Sequence, residues 1–116
     1  MSLHCAATIL VRHPTRLAGE LDLLRDRRIA ALYAARTTAA EVASAARELG
    51  VAAFPLALPL GTVGDSGGAD FAHTNAGVLQ GIADLHRGET VVVVVDPSHD
   101  LHALEIEIGD DGMRLL

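Results

Sequence analysis

The chain has 116 residues, a formal net charge of −6, nine arginines and no lysine. That balance excludes the basic face needed for nucleic acid or an anionic membrane surface, so an anionic ligand would have to be met by a local group of arginines. Half of the residues are apolar but only three are aromatic, which implies one domain over 1–116 with a finely packed aliphatic core. The lone Cys5 allows no intrachain disulfide. The opening residues lack a signal-peptide pattern and no apolar run reaches membrane-spanning length, so the expected setting is cytoplasmic.

The first apolar run, Ala7 to Val11, reads as a buried strand and ends abruptly in Arg12-His13-Pro14. Leu17, Leu21 and Leu24 then come at helical spacing, weakened by Gly19. Ile29 to Tyr33 is a second short strand, and Arg36 comes directly after it. Thr38-Ala39-Ala40-Glu41 has the capping-box form. The helix it opens runs through Val42, Ala45 and Leu49 to Gly50, a residue suited to the left-handed cap. Val51 to Leu60 is extended, with Pro55 and Pro59 restricting it to an edge strand or loop, and Gly61 to Gly68 is a glycine-rich connection. Phe71, Val78, Leu79, Ile82 and Leu85 mark a third helix, closed by His86-Arg87-Gly88. Thr90 to Val95 has no polar alternation and reads as a strand buried on both faces. Ala103 to Ile108 alternates, and Gly109 to Gly112 turns it back into Met113 to Leu116 as a hairpin. Strands alternating with helices predict a three-layer α/β/α domain with a mostly parallel central sheet and a C-terminal β-hairpin.

Two of these strands deliver a histidine just past their C-terminal ends: His13 after the first, and His99 after the valine strand through Asp96-Pro97-Ser98. In an open α/β sheet ligands sit in the crevice beyond those ends. If the two strands are parallel neighbours, His13 and His99 share one crevice, with Arg12 and Arg36 beside it. Arginine presents planar paired donors to phosphate oxygens, and a neutral imidazole can act as a nucleophile. Two arginines and two histidines therefore point to phosphoryl chemistry on a small phosphorylated molecule or phosphate itself. An alternative set of His99, His102 and Asp96 has metal-ligand residue types but lacks a third strong partner, so no metal or other cofactor is expected.

Leu10 to His13, Ala31 to Ala43, Gly88 to Val95 with Ser98-His99 behind it, and the closing ALEIEIGDDGMRLL occur in an order that resembles the histidine phosphatase (phosphoglycerate mutase-like) superfamily. The resemblance implies that His13 is phosphorylated, that Arg12, Arg36 and His99 grip the phosphoryl group, and that a carboxylate protonates the leaving group. Asp65 and Asp70 are the acids available for that last role. The chain also departs from the pattern. Pro14 stands where the family has glycine, Asp96-Pro97 interrupts the passage from strand to Ser-His, and the helical insertion that carries acid and lid is missing. Two functions stay open: hydrolysis of phosphate monoesters, or a catalytically inactive relative acting as an anion-binding or protein-interaction module. With so few helices to cover the sheet, a homodimer is expected, formed face to face or through the edge near Ala103 to Ile108.

Overall fold

The computed structural model describes residues 6–56, 68–96, 103–109 and 112–116, with the side chains of 68–70 excepted. The first strand, β1, spans Ala7–Arg12, and β2 spans Ile29–Ala34. The edge strand β3 covers Ala52–Pro55, the valine strand β4 covers Thr90–Val94, and β5 and β6 cover Ala103–Gly109 and Gly112–Leu115. They form one six-stranded mixed sheet in the order β3-β2-β4-β1-β5-β6. The pairs β2/β3, β2/β4 and β1/β4 are parallel, whereas β1/β5 and β5/β6 are antiparallel.

Strand residues alternate between two cores because successive side chains point to opposite faces. Ile9 and Val11 of β1, Tyr33 of β2 and Val91 and Val93 of β4 face helices α4 (Gly68–Thr74) and α5 (Ala76–Leu85), where Phe71, Leu79 and Ile82 meet them. Leu10, Leu32, Val92 and Val94 face the other way. They meet Leu17 of helix α1 (Pro14–Leu17), Leu24 of α2 (Leu21–Asp26) and Val42 of α3 (Ala39–Leu49). The domain is thus α/β, with helices on both faces of the sheet. Each valine from Val91 to Val95 is fully buried, and burial of a valine side chain stabilises a fold by about 1.5–3 kcal/mol.

This cover corrects the premise of the expected dimer, since the chain itself shields its central strand on both faces. The expected dimer edge is corrected as well, because β5 lies inside the sheet between β1 and β6. The edges of the sheet are β3 and β6.

Three local expectations also change. The helix expected after Pro14 is broken into α1 and α2 by a 3-10 turn at Ala18–Glu20, which contains the glycine that weakened it. The helix expected through Phe71 and Leu85 is likewise two, interrupted at Asn75, whose side-chain amide donates to the Phe71 carbonyl at 3.0 Å. The Thr38 capping box does not form. Thr38 Oγ1 donates back to the Ala35 carbonyl at 3.0 Å, inside a 3-10 turn over Arg36–Thr38 that precedes α3. At the far end of α3, Gly50 adopts the left-handed conformation (φ +71°) and its N–H returns to the Ala46 and Arg47 carbonyls, as the αL cap requires. Among the described residues no helix is long and apolar enough to cross a membrane.

Candidate functional site

The parallel pairing of β1 with β4 and of β4 with β2 sets three strand ends side by side. Register runs from Thr8 opposite Thr90 to Arg12 opposite Val94, and the Val95 N–H extends the ladder to the Arg12 carbonyl at 3.1 Å. The residues just past the three strands are therefore delivered to one mouth: His13 from β1, Asp96 from β4, and Arg36 with Thr37 from β2. His99 and Asp65 lie outside the described residues, as does His102. Asp70 belongs to α4, and its side chain too lies outside the description.

His13 is buried, 8 % exposed, and occupies the N-cap of α1 with φ −73° and ψ 143°. The extended backbone is what a residue before proline must adopt, and Pro14 at the first helical position gives up an N–H that would have had no helical partner. The Thr15 N–H does need an acceptor, and it donates to His13 Nδ1 at 3.3 Å. The Thr15 hydroxyl lies 2.8 Å from the same nitrogen. An imidazole here takes the place usually held by Ser, Thr, Asp or Asn. Acceptance of that N–H by Nδ1 requires the neutral tautomer with its proton on Nε2, whereas the Thr15 hydroxyl can pair with Nδ1 in either tautomer. Orientation by a backbone carbonyl would instead hold the proton on Nδ1 and leave the lone pair of Nε2 for attack.

Arg12 is 8 % exposed. Its Nε donates to Glu20 Oε1 at 2.8 Å, and its Nη1 donates to the Val11 and Leu104 carbonyls at 2.9 and 3.3 Å. Glu20 Oε2 also accepts from Arg16 Nε at 3.0 Å. Burial pushes the Glu20 carboxyl up, but the hydrogen bonds and charges of Arg12 and Arg16 outweigh it and hold the group below the usual glutamate value. The guanidinium expected to face a phosphate is thus engaged by a carboxylate and two carbonyls.

At the third strand end Arg36 is exposed, and no hydrogen bond or ion pair holds its guanidinium among the described residues. Its neighbour Thr37 donates through Oγ1 to Asp96 Oδ2, tying the ends of β2 and β4 together. Asp96 is the residue that sequence reasoning undervalued; its signal was its place immediately behind the valine strand. Glu20 was also missed, although its spacing from Arg16 is that of a helical ion pair.

A second titratable cluster lies on the opposite helical layer. The Tyr33 hydroxyl is 2.7 Å from His86 Nε2, and His86 Nδ1 is 2.9 Å from Glu89 Oε1. Burial, then the Glu89 charge, push the Tyr33 phenol above its ordinary value. Among the described residues no group of three or more His, Cys, Asp or Glu side chains is arranged to hold a metal ion. No protein-family model matches the chain, and no curated protein matches it.

Proposed function

We propose that this domain is a non-catalytic relative of the histidine phosphatases, a binding module that keeps the α/β frame without phosphohistidine chemistry. The observation that carries this reading is the His13 cap. Attack on phosphorus needs a nitrogen lone pair aimed at the substrate, yet Nδ1 spends its lone pair on the Thr15 N–H and Nε2 then bears the proton. Two further features agree. Arg12 could offer a phosphate a forked pair from two nitrogens only by releasing Glu20 from Nε or a carbonyl from Nη1, which would leave a buried carboxylate or carbonyl short of a donor. Asp96 adds a negative charge at the mouth where a phosphate dianion would sit, and like charges there are unfavourable.

The competing reading, hydrolysis of phosphate monoesters through His13, is favoured by one observation, the side-by-side parallel ends of β1 and β4. The two separate in a direct assay. The purified protein is incubated with p-nitrophenyl phosphate, and the quenched mixture is examined for an acid-labile phosphoprotein. The expected result is turnover no greater than that of His13→Asn, with no phosphohistidine trapped. His13-dependent release of p-nitrophenol would overturn the proposal.

A further inference from the structure

Beside Arg36, on the side away from His13 and β1, the first turns of α3 and the end of β3 line an open groove of about 320 Å3. Its lining side chains are mostly small because the sequence places Ala39 and Ala43 on the helix and Ala53 on the strand, with Val42 and Phe54 beside them. Among the described residues Arg36 is the only charged one that lines it. The hollow sits at the carboxyl end of β2 and β3, where α/β sheets receive ligands. Its volume is at the lower end of small-molecule sites, which run from about 300 to 1,000 Å3.

Resting on the reading of the domain as a binding module, we propose that this groove takes a small organic anion, an apolar body with one carboxylate or phosphate group. The argument is one of complementarity. A hollow walled by alanine, valine and phenylalanine selects an apolar body, since water gains few hydrogen bonds there and is readily displaced. A single arginine at the rim, held by no carboxylate among the described residues, selects a negative group and gives it a forked pair of donors. In a chain of net charge −6 the recognition has to be local, and Arg36 supplies it. This assigns Arg36 a ligand reached from β3 and α3 rather than a place in a clamp around His13.

The test uses phenyl phosphate and benzoate as probes, with inorganic phosphate and phenol as the separate halves, monitored by amide shifts in two-dimensional NMR. Both aryl anions are expected to move the amides of Ala39, Val42 and Phe54, and each half alone is expected to bind at least tenfold more weakly. Arg36→Gln is expected to weaken both by about tenfold, the loss of one charge-assisted contact. Ala39→Leu, which fills the hollow from an exposed helical position, is expected to abolish binding while leaving the fold's spectrum intact. The proposal is overturned if the aryl anions bind no better than their halves, or if Ala39→Leu binds them like the wild type. Release of phenol in the same tube reports separately on the non-catalytic reading. Hydrolysis that depends on His13 would refute that reading even if the groove binds, and silence at Ala39 would refute the groove alone.

Discussion

Replacing Glu20 by glutamine removes the charge that Arg12 and Arg16 share. Glu20 meets Arg12 Nε at 2.8 Å with side-chain exposures of 15 % and 10 %, and meets the half-exposed Arg16 at 3.0 Å. Exposed pairs contribute about 0.2–1 kcal/mol, whereas stranding a buried charge costs about 3–5 kcal/mol. Arg12 keeps the Val11 and Leu104 carbonyls as acceptors, so Glu20→Gln should fall between these limits, at about 2 kcal/mol. For a domain of this size that lowers Tm by about 8 °C. The pH dependence has a definite sign. Glu20 is held below its usual value in the folded protein, so its contribution is complete above the unfolded glutamate pKa of about 4.3 and is lost as pH falls through the lower folded value. Urea unfolding monitored by circular dichroism at pH 7 and at stepwise lower pH reads both quantities. The gap between wild type and variant should narrow as the medium becomes acidic. A variant as stable as the wild type at pH 7, or a gap that persists unchanged through the carboxylate range, would refute the reasoning.

Other outcomes are expected at single sites. Tyr33 is the only tyrosine, so absorbance at 295 nm during an alkaline titration reports it alone; its midpoint should lie above the ordinary value, because burial and then Glu89 disfavour the phenolate. Stability should fall as pH rises past the unfolded tyrosine pKa of about 10, since the folded state holds that proton longer. Gly50→Ala should destabilise by about 1 kcal/mol, a backbone cost only, because φ is +71° and an added Cβ would meet nothing within 4 Å. Arg27→Met should cost about 1 kcal/mol: its two-pronged contact with Glu105, at 3.0 and 3.3 Å, ties the end of α2 to β5. That cost should shrink in 1 M salt, because both side chains are about one-third exposed.

The strands were legible in the sequence because the apolar runs that make them have no competing pattern. Thr90 to Val95 admits no half-exposed reading, and the Glu-Ile-Glu-Ile alternation of β5 states which face is wet. Helix interruptions were less legible. Gly19 was a visible weakness, but spacing alone does not reveal the interruption at Asn75, whose backbone departs from helical angles (φ −103°, ψ 18°) while its N–H and side-chain amide both donate to the Phe71 carbonyl. Thr38 misled for a related reason. Its hydroxyl had two uses, capping α3 or closing the 3-10 turn on Ala35, and the second prevailed.

The candidate site was readable as a location and not as chemistry. Arg12-His13 after a buried strand and Asp96 after another did indicate the mouth between β1 and β4. The role of each side chain there depends on partners that are distant in sequence or one turn ahead. Glu20 reaches Arg12 only because the chain after Pro14 folds back beneath β1. His13 becomes a cap because Pro14 starts a helix at once and leaves the Thr15 N–H in need of an acceptor.

The decisive quantity is the position of the proton on His13. Long-range 1H–15N correlation spectra of the imidazoles, with His13 identified by comparison with His13→Asn, distinguish the two neutral tautomers directly. The account predicts a protonated Nε2 and an Nδ1 with the 15N shift of a nitrogen that accepts a hydrogen bond. A proton on Nδ1, with Nε2 bare, would contradict it and return His13 to the role of nucleophile.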